Sequence, residues 1–372
     1  VALGFGETLK QSRNAAEATL LAGSATTTKA FTATWQRYFD TTVRTPTSLA
    51  TSAEKRAYRV AVMALAASED KDNPGAFIAS PSLPWAWGTN SNLNSGSAGY
   101  HQVWARDEYQ IATGLAAFGD KAAAIRAVRF LFDVQQKTNG GFPQNSSVDG
   151  TPSASGVQLD QVALPIILAH QLGVTDATTW SQVSSAADYM INFKSGDLTA
   201  PASPQERWEE QPGYSPSSIA AQIAALVCAA DIAGLNSDDA AQQRYLAKAD
   251  EWANKINTWT VNSSSGTPSF IRLSPNGNAS ASTKYNIGNG GGVVDQRFIK
   301  DAGFLEFVRL GVLAADSKLV RDSLRASDRA LARTINGHTY YYRYTKDGYG
   351  EEASGRPWST SGEGTRGRLW PL

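Results

Sequence analysis

The chain has 372 residues with 34 Lys and Arg against 34 Asp and Glu, a formal net charge of zero that gives no general pull toward nucleic acid or anionic lipid. Hydrophobic residues make up 42% and charged residues 18%, a balance that supports a large core and excludes disorder. One cysteine, Cys228, excludes an intrachain disulfide framework and a multi-cysteine zinc site, and three scattered histidines (His101, His170, His338) leave little for another metal site, so neither metal nor cofactor is expected.

The chain opens at Val1 in VALGFGET, which reads like the middle of a protein, with no basic segment and apolar h-region. Apolar residues then recur at helical spacing over about 8–41, 50–68, 107–136, 158–195, 215–257 and 301–335. Short breaks split four of these stretches, at Gly119-Asp120, Leu172 to Ala177, Gly234 to Asp239 and Ala315. Between the pairs lie segments rich in Gly, Ser, Asn, Pro and Trp, at 69–105, 137–157, 196–214, 258–294 and 336–370. Connections above about 12–15 residues are uncommon unless they carry function, so these loops are read as the working surface. Antiparallel helix pairs with their long connections at one end describe an all-α fold, an α/α toroid. No repeat of fixed period points to a solenoid. The apolar run IAAQIAALVCAADIAGL is under 18 residues and broken by Gln and Asp, short of a bilayer span.

Six tryptophans, Trp85, Trp87, Trp104, Trp208, Trp358 and Trp370, sit in or beside the loops. Each could simply plug a loop onto the core; as a set they suit a wall of flat apolar faces beside polar groups, matched to the C–H faces and hydroxyl edges of a sugar ring. In QERWEEQPGYSPS, Glu209 and Glu210 follow Trp208, and Ser215-Pro216 reads as an N-cap with proline at the first helical position. An indole face and a neighbouring carboxylate push a carboxyl toward values useful to a general acid, while the helix N-terminus pulls the other way. In GYHQVWARDEYQ, Arg106-Asp107 follows Tyr100 and Trp104 at a loop-to-helix junction. Asp107 could cap that helix, or the pair could offer donors and an acceptor to sugar hydroxyls. Gln144, Asn145, Asp149, Gln158 and Asp160 form a weaker polar set, and Asp295, Arg297 and Asp301 read as a salt bridge and cap. His101 could bind substrate, and Cys228 reads as a small buried hydrophobe. There is no GxxxxGK[ST], GxGxxG, GxSxG or HExxH motif, nor an EF-hand-like calcium loop.

Taken in order, PWAWG with GYHQVWARD, FPQN with GVQLDQ, QERWEEQPGYSPS, DQRFIKDAGFLEFVRLG and a closing GRLWPL resemble the bacterial branch of the inverting glucoamylase and glucodextranase family over nearly the whole chain. The resemblance implies an (α/α)6 barrel preceded by a β-sandwich and a helical linker. Residues 1–45 would then be the sandwich tail and linker, and 46–372 the N-terminal three-quarters of the barrel. It implies Glu209 as the general acid and Glu210 as a substrate ligand beside it. Tyr100, Trp104, Arg106 and Asp107 would form the pocket for the non-reducing terminal glucose, and Trp208, Gln158 and Asp160 would add to the substrate site. The second carboxylate of an inverting site acts as base on water roughly 6.5–9.5 Å from the acid. In the family it follows the GRLWPL segment, and Glu351, Glu352 and Glu363 do not match its motif. A complementary polypeptide supplying the base and the rest of the ring is therefore expected. Relatives commonly carry tryptophan at the positions of Ser147 and Ala154-Ser155, and proline at Ala105. These departures leave α-1,4 and α-1,6 linkages open, together with glucosyl transfer and a non-catalytic carbohydrate-binding role. The polymeric substrate implied by the family places the protein outside the cell or in the periplasm.

Overall fold

A computed structural model describes residues 1–81, 99–154, 156–264, 266–287 and 291–348, and the backbone of 369–370. Trp85, Trp87, Ser155, Glu351, Glu352, Trp358, Glu363, the side chain of Trp370 and most of the GRLWPL segment lie outside the described residues.

Helix α1 (Leu9–Ala22) starts from a capping box between Thr8 and Gln11, and α2 (Ser24–Thr41) follows after Gly23. The sequence pattern runs through as one helix; Gly23 interrupts it because its φ of 76° is open to glycine at little cost. Neither helix buries a residue, and residues 1–6 carry no strand. The end of α2 docks on the barrel through Tyr38, whose hydroxyl donates to Asp120 Oδ2 at 2.8 Å. Gly119 is required at this junction, since its φ is 116° and a Cβ would lie 2.4 Å from the Thr42 carbonyl oxygen.

The helix pairs follow. Helix α3 (Ser52–Ala67) begins with a Thr51–Glu54 capping box, α4 (Ala105–Phe118) turns at Gly119, and α5 (Lys121–Arg129) is capped by Asp120 and continues into a π-helical turn, Phe130–Gln135. Helices α6 (Leu159–Leu172) and α7 (Ala177–Ile191) are separated by Gly173 and the Asp176 cap, and α8 (Pro216–Leu235) and α9 (Asp239–Ala253) by the Asp238 cap. Then come α10 (Ile256–Thr260), α11 (Leu305–Arg309) and α12 (Lys318–Leu331). Helix α4 packs on α6 and α6 on α8, forming the inner row, while α5, α7 and α9 pack outside it. The inner helices read as apolar all round because they are covered on every side: α6 buries 12 of 14 residues and α8 buries 15 of 20. The toroidal arrangement of helix pairs is the one expected.

Three expectations are corrected. Helix α8 has 20 residues and is long and apolar enough to cross a bilayer, yet it is buried against its neighbours and is a core helix. The stretch 301–335 breaks over 310–317, around Ala315 as expected, but it is not helical to its end. Its first helix ends at Arg309, and residues Ala332–Ile335 pair instead with His338–Tyr342 across Asn336-Gly337. Asn-Gly is the signature of a two-residue hairpin turn, both residues have positive φ, and β-branched Thr334 and Ile335 favour the strand. Cys228 is half-buried on α8, and burial pushes its thiol up to about 12.

The long loops are stitched to one another by isolated bridges, Val103 with Ser146, Ser203 with Gly213, Tyr214 with Ser274, and Asp301 with Tyr344. They gather where α4, α6 and α8 begin, which places the N-terminal turns of the inner helices under them.

Glu108, in the first turn of α4, is fully buried and, among the described residues, accepts only the Phe77 N–H, at 3.1 Å. Burial holds its pKa well above 4.5 in the folded protein, so folding takes up a proton once the unfolded chain ionises there. Stability is full below that unfolded value and falls as pH rises above it, by at most about 1.4 kcal/mol per pH unit. Glu108→Gln is expected to have a melting temperature that stays level from pH 5 to 8 where the parent's declines, with the two converging near pH 4. Parallel calorimetric curves across that range would remove this role for Glu108.

Candidate active site

The first turn of α4 supplies Arg106 and Asp107. Trp104 occupies the N-cap position, so Asp107 lies inside the helix and does not cap it. Its carboxyl is still favoured by the helix N-terminus, but burial raises its pKa, with Arg106 opposing that rise. The Arg106 fork is not turned to Asp107, because consecutive helical residues diverge. Instead Arg106 Nη1 donates to Gln158 Oε1 at 2.6 Å and Asp160 Oδ2 at 3.0 Å, and Nη2 donates to Glu209 Oε1 at 3.1 Å. Gln158 is the N-cap residue of α6 and Asp160 is in its first turn, so two helix starts meet at one guanidinium.

Glu209 sits in a tight turn ahead of α8. Its N–H donates to the Glu206 carbonyl at 2.7 Å and its φ is +67°. For a side chain branching only beyond Cβ this left-handed conformation costs about 1–2 kcal/mol. The turn sends adjacent carboxylates in different directions. Glu209 Oε1 accepts from Arg106 and from Gln158 Nε2 at 2.9 Å, and Oε2 accepts from Gln144 Nε2 at 3.0 Å. Glu210 accepts from Arg272 Nη2 and Arg343 Nη2, both at 2.8 Å, and from the Tyr344 hydroxyl.

Trp208 is fixed from three sides. Its Nε1 donates to Asp301 Oδ2 at 2.6 Å, and the guanidinium carbons of Arg207 and Arg343 lie 4.3 and 4.9 Å from its ring centre. Asp301 also accepts from Arg207 at 2.8 Å and from the Gly303 N–H, so it is both the expected cap and an anchor. Beside this wall lies a cavity of about 230 Å³ lined by Arg106, Asp107, Gln110, Asp160, Leu164, Arg207, Trp208, Ser217, Ala221, Glu306 and Arg309. Among the described residues, Asp160 Oδ1 is buried without a hydrogen-bond partner.

Of the expected residues, Arg106, Asp107, Asp160 and Trp208 line the cavity, while Gln158 and Glu209 join it through Arg106. Glu210 faces the Arg272, Arg343 and Tyr344 group. Tyr100 and Trp104 meet edge to face at 6.3 Å, with Trp104 buried at the start of α4, and neither is part of the cavity lining. His101 is exposed and bonds the Pro81 carbonyl, and Asp295 and Arg297 pair with each other. Arg207, Glu306, Arg309, Arg272, Arg343 and Tyr344 went unnoticed in the sequence, where only their clustering of charge with aromatics in WEE-like and YYRY runs gave a signal. Among the described residues, no group of three or more His, Cys, Asp or Glu side chains is placed to hold a metal ion.

A ring of inner helices with loop-borne carboxylates, arginines and a tryptophan around one cavity defines a glycosidase-type α/α barrel. The chain matches the model of glycosyl hydrolases family 15 over residues 52–140 and 133–362, and it belongs to that family. It is 41% identical over 318 residues to a glucoamylase of Clostridium sp., covering 85% of this chain and 43% of that protein. It is also 28% identical over 169 residues to an uncharacterized glycosyl hydrolase of Methanocaldococcus jannaschii, covering 42% of this chain and 24% of that protein. Among solved structures, a bacterial glucoamylase complexed with acarbose superposes with a TM-score of 0.85 at 36% identity, covering 99% of this chain and 52% of the other. That match establishes the (α/α)6 barrel fold. A glycosidase variant in complex with glucose shares the fold at a TM-score of 0.57 and 17% identity, covering 78% of this chain and 74% of the other. The chain thus spans about half the length of the bacterial glucoamylases it matches.

Asp301 ties Arg207, Trp208 and Gly303 together while 5% exposed. Asp301→Leu is expected to cost about 3–5 kcal/mol in urea unfolding, because it strands a poorly solvated guanidinium and an indole N–H. Tryptophan emission should shift to longer wavelength in the folded variant. A variant as stable as the parent, with unchanged emission, would show that Asp301 does not anchor the wall.

Proposed function

We propose that this chain carries the acid side of an exo-acting glycoside hydrolase site that releases glucose, with inversion, from the non-reducing ends of α-1,4- or α-1,6-linked glucans and gluco-oligosaccharides. The observation that carries the reading is Glu209, a carboxylate in a left-handed turn, held by Gln158, Gln144 and Arg106, the last of which lines the cavity walled by Trp208. The glucoamylase relatives, one of them bound to acarbose, support an α-glucoside as substrate. In this reading Glu209 protonates the glycosidic oxygen, Arg106 and Asp107 hold hydroxyls of the terminal glucose, and Trp208 stacks on a ring face. Glu210 binds substrate alongside, held by Arg272 and Arg343, and Asp160 Oδ1 accepts a sugar hydroxyl, which would satisfy its open valence. Tyr100 and Trp104, at the start of α4, belong to the site for the terminal glucose, and Gln158 keeps Arg106 and Glu209 in register.

The general base is assigned to sequence outside these 372 residues, of which a complementary polypeptide is one form. Helix α3 supports this assignment. It buries only Val62, and its exposed side carries Ala57, Val60, Ala61, Ala64 and Ala67 at the spacing of an apolar stripe, the kind of face that the next helix of a ring would cover. In the same reading, residues 1–45 are the tail of a β-sandwich and a helical linker and 46–372 the N-terminal three-quarters of the barrel, and a polymeric substrate suits an enzyme outside the cell or in the periplasm.

Glu209→Gln in the natively purified enzyme is expected to lower kcat on gluco-oligosaccharides by about 100- to 10,000-fold while binding persists. Proton NMR of the parent reaction should show β-glucose first. Full activity of the variant would overturn the acid assignment, and α-glucose first would overturn inversion.

The same preparation tests the partner. Its mass before and after denaturation should reveal a second polypeptide or a longer chain beyond 39.7 kDa. An active particle of 39.7 kDa alone would place the base within this chain.

A further inference from the structure

We propose that Arg272, which lies outside the cavity, is a positioning residue that sets the aim of Glu209 by clamping the two ends of the 206–211 turn. The inference rests on the reading of Glu209 as the acid. Arg272 is 1% exposed and reaches the turn from a separate segment, anchored by its own N–H to the Ile299 carbonyl at 2.9 Å. Its Nη2 donates both to Glu206 Oε1 at 2.9 Å and to Glu210 Oε2 at 2.8 Å. Its guanidinium carbon lies 3.6 Å from the centre of the Tyr344 ring, which blocks sideways movement.

Glu206 is the other half of the clamp. Fully buried, it accepts the Trp208 N–H through Oε2 at 2.9 Å, while its backbone carbonyl accepts the Glu209 N–H. Its own N–H donates to the Gln211 carbonyl at 3.0 Å, closing the turn. Glu209 is the residue in this turn with positive φ. A left-handed residue persists only where its surroundings over-determine it, and here the determining contacts converge on Glu206, Glu210 and Arg272. With Arg272 gone, two carboxylates would face each other in a poorly solvated space, and relief comes by opening the turn. Glu210 keeps Arg343 and Tyr344, so substrate binding should change little. The acid itself, one residue earlier, would lose its orientation toward the cleft.

The test uses two substrates in the natively purified enzyme. A gluco-oligosaccharide needs its leaving oxygen protonated; α-glucosyl fluoride needs little protonation, because fluoride departs unaided. Arg272→Met is expected to lower kcat on the oligosaccharide about 100-fold, the scale of an acid displaced by about 1 Å, and kcat on the fluoride less than about 5-fold, with KM within about 3-fold. Arg272→Lys should recover part of the loss. If Arg272→Met does not fold, the double variant Arg272→Met with Glu206→Gln removes the stranded charge along with the clamp and should show the same selective loss. Equal losses on both substrates would reduce Arg272 to a structural role, and no loss on either would remove it from the mechanism. Glu209→Gln run beside these separates the two levels. If it too fails to spare the fluoride, the acid assignment falls first; if it spares the fluoride and the Arg272 variants do not, only the positioning role falls.

Discussion

Arg106 joins three parts of the chain at one point: the first turn of α4, the start of α6, and the turn that carries Glu209. Taking a guanidinium out of water costs several kcal/mol unless its donors are satisfied, and a fork of five N–H groups needs acceptors in fixed directions. That requirement dictates what surrounds it. Asp160 supplies the opposing charge, Gln158 fills the neighbouring donor, and Glu209 takes the outer one. The three acceptors sit 52, 54 and 103 residues away in sequence, so the contact can form only after the inner helix row is assembled. The barrel is, in this sense, the means of bringing helix starts together beneath the loops.

The same logic repeats beside the cavity and in the turn that carries Glu209, with different partners. Arg207 is held by Asp301, Arg343 by Asp347 and Glu210, and Arg272 by Glu206 and Glu210. Each arginine binds at least one carboxylate from another segment, and two of them lie against the Trp208 ring. An aromatic face with a cation on it loses freedom to tilt, and its N–H is already committed to Asp301. The wall is rigid without being part of any helix. Long loops ordinarily fluctuate more than helices; here ion pairs stand where a strand or helix would otherwise provide the order.

Much of the architecture was legible because helical spacing and its interruptions are local. Gly119-Asp120, Gly173 and the Asp238 cap mark turns whose reasons lie within a few residues. The failures have local causes too. Helical spacing carried the reading through Arg333 into a segment where Asn336-Gly337 imposes a hairpin. Arg106 was coupled to Asp107 because they are adjacent in sequence, although a helix points neighbours apart. Asp301 was legible as a cap, a contact to Gly303 two residues on, and illegible as the anchor of Trp208, 93 residues away. Arg272, in an apolar FIRLSP context, looks like the outward residue of a strand; only the fold turns it inward. Chemistry carried by one segment can be read from that segment, whereas chemistry created by charge pairing across segments cannot.

The two adjacent carboxylates show why such pairing matters to a site of this kind. Glu209 and Glu210 have the same side chain and neighbouring positions, so nothing intrinsic assigns them different work. The left-handed backbone at Glu209 separates them, directing the first to Arg106, Gln158 and Gln144 and the second to Arg272, Arg343 and Tyr344. Glu210 meets two guanidinium groups and a phenol, which hold its side chain in place through hydrogen bonds it accepts. Glu209 meets one guanidinium and two neutral amides and is 27% exposed at its side chain, so it keeps access to solvent. The different surroundings of these identical residues therefore come from the arginines placed on either side of one strained turn, and the strain is maintained by the partners that the turn itself brings within reach.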